Sequence, residues 1–202
     1  MKLRILIGTI VGTVVAFTYG FVTWAVLDLW ADKIQSMPPS VDMGALVSKL
    51  PADGAYHFPG FDKEAAKGDA AQALWDQYEV EHEKGPIGLL LVSKQGKPSM
   101  GASTFISSLG MDAVCALLMA FFVAGTACPS WPGRWTYGVM VALFAAVASN
   151  SSDLAWFDFP SKYVLYDMAD LFLKWTVASA AVAAVVGGSK SCPFHAGAPK
   201  PA

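Results

Sequence analysis

The chain has little of what chemistry is usually built from. It carries three histidines and three cysteines among 202 residues, with a net charge of −2 at pH 7. It has no Gly-x-Ser-x-Gly elbow, His-Glu-x-x-His pair, phosphate loop or Cys-x-x-Cys, so hydrolase, zinc-protease, nucleotide-binding and dithiol readings lack their agents. Without a basic run, nucleic acid is excluded as a partner. His57, His82 and His195 all lie outside the long apolar stretches. No span therefore offers an imidazole for axial haem ligation, and a bis-His cytochrome b is ruled out. Cys115 lies in an apolar stretch, Cys128 at its end and Cys192 in the tail. A disulfide scaffold is thereby excluded, and inert thiols are expected. No catalytic residue, metal or cofactor is expected.

What the chain does have is four apolar stretches. They run from Ile5 to about Trp30, Thr104 to Thr126, Trp135 to Ser149 and Tyr163 to Val186. At about 1.5 Å per helical residue, the longer ones cover the roughly 30 Å hydrocarbon core of a bilayer, and the third is the shortest. The first exceeds a signal-peptide core, and the bulky Leu27-Asp28-Leu29-Trp30 offers no cleavage site, so it reads as an uncleaved anchor.

Lys2, Arg4, Arg134, Lys190 and Lys200 collect on one side, which the positive-inside rule makes cytoplasmic. The expected fold is membrane all-α: a four-helix transmembrane bundle with a small α+β extracytoplasmic insert between spans 1 and 2. Residues 1–30 form the anchor, 31–101 a periplasmic cap, 102–188 the three-helix region and 189–202 a cytoplasmic tail. Trp24, Trp30 and Trp156 fall at the outer interface and Trp131 and Trp135 at the inner one, as aromatic belts require, while Trp175 lies deeper.

Two patterns inside the spans mark candidate functional residues. Gly8, Gly12, Ala16 and Gly20 recur every fourth residue, stacking small side chains on one face for close approach of another helix, from this chain or another subunit. Asp167, Asp170 and Lys174 fall at i, i+3 and i+7 on one side of the fourth span, with Asp170 and Lys174 spaced to pair. Asp112 and Asp28 are further candidate partners. Charge at that depth costs at least about 2.5 kcal/mol unless it is neutralised, so it reads either as an ion pathway or carrier site or as a neutralised structural or interface pair.

In the polar insert, Ser40 is placed to cap a short helix bearing Leu46, Val47 and Leu50, which Pro51 stops. Ala55–Phe58 reads as a strand. Asp69 and Gln72 resemble a capping box for a helix to about Glu83, with Leu74, Trp75, Tyr78 and His82 along one side. Ile87–Val92 suits a buried strand, and Lys94-Gln95-Gly96-Lys97 a hairpin turn. Glu79-Val80-Glu81-His82 has the Glu-x-x-His spacing of di-iron sites but lacks its second copy. A metal centre from His57, Glu79 and His82 requires all three within reach of one ion. A segment of about seventy residues buries only a modest core, so support from the helices or a partner is expected.

Five features together resemble a widespread family of small bacterial four-span membrane proteins. They are Ile7-Gly8-Thr9-Ile10-Val11-Gly12, Phe58-Pro59-Gly60, Gly85-Pro86-Ile87-Gly88, the stretch Trp156–Leu165 containing Phe159-Pro160-Ser161-Lys162-Tyr163-Val164-Leu165, and Trp175. The resemblance implies the topology above and carries no activity. Lys162 and Lys174 stand where the family pattern has an acidic and an apolar residue. The expected role is a non-catalytic accessory or assembly subunit of a larger bacterial inner-membrane complex, respiratory or photosynthetic, with other membrane subunits and the lipid bilayer as partners. The alternative is a small carrier or ligand-binding protein using Asp112, Asp167, Asp170 and Lys174.

Overall fold

A computed structural model describes residues 2–187 except 63, 69, 70, 127 and 129. Asp69 and the expected tail, with Cys192, His195, Lys190 and Lys200, lie outside the described residues. The chain forms two compact units, one from residues 1–35, 99–151 and 161 onward, the other from 36–98 and 152–160.

The first unit is helical. Helix α1 spans Lys2–Phe21 and continues through a π-turn over Val22–Val26; α4 spans Ala102–Gly125, α5 Trp131–Ala155 and α6 Ser161–Val185. Among the described residues, four helices are long and apolar enough to cross a membrane. Their large apolar side chains point outward: Leu6, Ile10 and Val14 of α1, Met111 and Phe121 of α4, and Phe144 of α5 are all exposed. Small residues fill the inside instead, with Ala16, Ala116, Ala120, Ala178 and Ala183 fully buried. A helix apolar all round with its smallest residues inward has the pattern of lipid-facing bundles.

The stripe on α1 packs within the chain. A Cβ on Gly8 would stand 2.5 Å from Val186 Cγ2, and one on Gly12 would stand 2.7 Å from Val182 Cγ2 and 3.1 Å from Ala116 Cβ. Gly20 departs from this pattern, with open space around it. Helices that cross at an angle separate away from the crossing, so a stripe of small residues serves only its central turns.

Helix α5 is a full 25 residues, much longer than the expected Trp135–Ser149. Its ends are polar yet helical. Ser130 Oγ accepts from the Gly133 N–H at 3.4 Å, and Pro132 sits in the first turn, where a missing N–H costs nothing. At the other end Ser149 and Asn150 donate to carbonyls of the helix's own preceding turn. The first turns of α5 clasp α6: Trp131 Nε1 donates to Ala180 O and Trp135 Nε1 to Thr176 O, both at 3.0 Å, and Arg134 Nε donates to Ala183 O at 3.0 Å. Gly138 allows this approach, since a Cβ there would meet Ser179 Cβ at 2.4 Å.

The second unit is α+β. Helix α2 spans Met43–Ser48, β1 Gly54–Phe58, α3 Ala71–Lys84 and β2 Gly88–Val92. Asp42, rather than Ser40, caps α2, its carboxylate accepting from the Ala45 N–H at 2.9 Å. The strands pair antiparallel with Gly54 opposite Val92 and Phe58 opposite Gly88, so α3 lies between paired strands in sequence. Residues 94–97 therefore lead out of β2 and form no hairpin. Gln72 Nε2 donates to Asp76 Oδ1 at 2.8 Å along the exposed face of α3, and the expected capping box lies outside the described residues with Asp69. Gly85, at φ +65°, ends α3 by donating its N–H to Glu81 O at 3.0 Å, because a left-handed residue halts the helical repeat and satisfies an orphan carbonyl.

Candidate functional site

Helix α6 carries the polar spine of the bundle. Asp167, Asp170 and Lys174 face the other helices at successive depths, and each finds its partner on a different element. Lys33 pairs with Asp167. The Lys33 side chain is only 5% exposed, its ammonium 5.3 Å from the Trp24 ring centroid and 4.8 Å from that of Tyr163, so cation–π attraction adds to the ion pair. One turn further, Asp170 Oδ2 accepts from Trp24 Nε1 at 3.0 Å, with the Tyr19 phenol alongside. Trp24 belongs to the π-turn, which Leu27 N–H closes onto Val22 O at 2.8 Å.

Lys174 does not take Asp170, the neighbour its spacing suggested. It donates to Asp112 Oδ1 on α4 at 2.6 Å. The Asp112 side chain is 7% exposed and that of Lys174 21%, and Lys174 stands about 20 Å along α6 from its first residue at about 1.5 Å per residue. Asp28 stays exposed in a turn at φ 48°, outside these contacts. Lys162 and Asp32 form an exposed pair at 3.4 Å, which contributes little.

Three carboxylates and two ammoniums thus meet inside the bundle, in two direct pairs, leaving Asp170 on neutral donors. Asp112 Oδ2 and Asp170 Oδ1 are buried without a hydrogen-bond partner. Lys33 and Tyr19 escaped the sequence reading, and Trp24 was read there only as an interface aromatic. Lys33 sits in the polar segment, and its only legible signal was an Asp167 with no cation one turn away on its own helix.

Beside the Asp112–Lys174 pair, α4 and α5 diverge around an apolar groove of about 580 Å³, lined by Cys115, Leu118, Phe122, Met140, Phe144 and, from α6, Trp175. Cys115 is the free thiol. Cys128 is disulfide-bonded, against the expectation of inert thiols.

In the second unit, α3 turns Trp75, Tyr78 and His82 toward Phe61 and His57. Phe61 and Trp75 stand 4.3 Å apart, Trp75 and Tyr78 5.8 Å edge-on, and the His57 and His82 rings stack at 6.3 Å. His82 Nε2 is 3.9 Å from Asp158 Oδ2. Glu79 is not brought into this group, and among the described residues no three metal-ligating side chains are placed to hold one ion.

No family model, curated protein or solved structure matches the chain.

Proposed function

We propose that the chain is a multi-pass membrane protein serving as a non-catalytic accessory or assembly subunit of a larger bacterial inner-membrane complex, with its cap docked on a partner. The observation that carries this reading is the burial of the cap. No described residue between 36 and 98 or between 152 and 160 is buried. Large apolar side chains stand open there, with Leu91 72%, Val80 65%, Trp156 80% and Trp75 47% exposed. Exposed apolar groups at this density on a unit without its own core mark a surface that another protein covers.

The alternative as a carrier draws less support. A carrier would need these side chains free along a water-filled path, and of Asp112, Asp167, Asp170, Lys174 and Lys33 four are held in direct pairs. Neutralised charges of this kind fix helix register.

The basic flanks orient the termini toward the cytoplasm and the cap toward the periplasm, and the family resemblance supports the same topology. Gentle solubilisation of native membranes followed by affinity capture and mass spectrometry tests the subunit reading. A stoichiometric partner lost on Leu91→Glu supports it; a lone monomer from native membrane contradicts it.

A further inference from the structure

A pocket opens on the cap where the chain leaving β1 meets α3. Phe61, Asp62, Leu74, Gln77, Tyr78 and Glu81 line it, around about 170 Å³. Two of its walls are aromatic rings. Phe61 is held against Trp75, with centroids 4.3 Å apart, and meets Tyr78 edge-on at 5.2 Å, so packing on both sides fixes its ring. The other walls carry charge of one sign. Asp62 Oδ1 accepts from the Glu64 and Ala65 N–H groups at 2.9 and 3.1 Å, and Glu81 Oε1 accepts from Gln77 Nε2 at 2.9 Å. Among the described residues, the second oxygens, Asp62 Oδ2 and Glu81 Oε2, take no hydrogen bond or ion pair. Lys67 is held by Glu64, and no described residue lining the pocket is basic.

Volume sets the scale of the occupant. The pocket's 170 Å³ is several times the roughly 30 Å³ share of a water and below the roughly 300 Å³ at which pockets for whole ligands begin. One side chain fits. Charge sets the sign. Residues 36–98 and 152–160 hold eleven carboxylates against six lysines, a net charge of −5, so the field of the whole cap attracts a cationic partner surface and repels an anionic one. Donor geometry separates the cations. The two open oxygens belong to different residues beside aromatic rings, which suits a flat guanidinium with five donors; a lysine ammonium is a compact, strongly hydrated point charge, and a quaternary ammonium has no donor for either oxygen. Asp62 and Glu81 are exposed, so each ion pair is weak until a partner covers the rim and excludes water.

We propose that this pocket receives an arginine side chain of the partner subunit, the guanidinium donating to Asp62 and Glu81 and lying against the Phe61 and Tyr78 rings. The proposal deepens the subunit reading and rests on it.

The test uses the full chain in dodecylmaltoside micelles and the probe acetyl-Gly-Arg-Gly-amide, read by saturation-transfer NMR against empty micelles. Saturable transfer to the arginine side-chain protons is expected, with the lysine peptide weaker and the isosteric, uncharged citrulline peptide silent. The double variant Asp62→Asn/Glu81→Gln keeps the acceptors that bond Glu64, Ala65 and Gln77, and should weaken binding about fivefold or more; Tyr78→Leu, which keeps apolar bulk but removes a ring, should weaken it as well. Transfer that the citrulline peptide matches, that empty micelles reproduce, or that the double variant leaves unchanged overturns the proposal. Tighter binding of tetramethylammonium than of the arginine peptide overturns the assignment to a guanidinium. The proposal and the subunit reading fail separately: a partner captured from native membrane that the double variant retains overturns the arginine contact alone, whereas a lone monomer overturns the subunit reading whatever the peptides show.

Discussion

Replacing Lys174 by methionine isolates the most consequential contact in the bundle. Among the described residues the ammonium is the one hydrogen-bond partner of Asp112 Oδ1, and Oδ2 has none. Removing it strands a whole carboxylate whose side chain is 7% exposed. Breaking a buried pair from one side costs about 3–5 kcal/mol, because the remaining charge is uncompensated. The reverse truncation, Asp112→Leu, strands an ammonium that is 21% exposed and less confined than the carboxylate, so a smaller cost of about 2 kcal/mol is expected. The double variant should return to within about 1 kcal/mol of the parent, since an apolar pair of similar volume replaces an ion pair at little cost. Reversible unfolding in mixed micelles, followed by tryptophan fluorescence, reads all three. A Lys174→Met cost below about 0.5 kcal/mol, or a double variant as unstable as the worse single one, would refute the account of a dry, mutually neutralising pair.

Gly12→Val places a side chain against Val182 and Ala116 and should destabilise the bundle by about 1–3 kcal/mol, whereas Gly20→Val, in open space, should change stability by less than about 0.5 kcal/mol; the same unfolding assay separates them. Gly138→Ala should push α5 off α6 and cost about 1–3 kcal/mol. Ser179→Gly should recover part of that loss, because Ser179 Cβ is the atom the new methyl meets; absence of rescue would place the strain elsewhere. Asp42→Ala removes the one side-chain cap of α2 and should cost about 1 kcal/mol locally, read as faster hydrogen exchange at Ala45 with β1 and β2 unchanged.

The helices were legible because hydropathy and length are local properties of sequence. Their ends were less so: Trp131–Arg134 and Asn150–Asp153 read as loop by polarity, yet their donors bond to α6 carbonyls or fold back on α5 itself. The polar spine was visible on α6 as Asp167, Asp170 and Lys174. Its pairing was visible only in part: Asp112 was named as a candidate partner for this cluster, but the spacing along one helix put Asp170 first, and nothing in a single sequence says that α4 lies alongside. Lys33 was hidden for a related reason, belonging by composition to the polar segment and by contact to the bundle. In the cap, the strands followed from composition, while their pairing around α3 depended on a non-local register.

The central claim, four helices crossing one bilayer with the cap on one side and the α4–α5 turn on the other, is tested most directly by impermeant maleimide labelling of single cysteines. In a background with Cys115, Cys128 and Cys192 replaced by serine, Gln95→Cys in the cap and Ser130→Cys in the turn are compared in intact and permeabilised cells. The account predicts that one position is labelled from outside and the other only after permeabilisation. Labelling of both from the same side would contradict it.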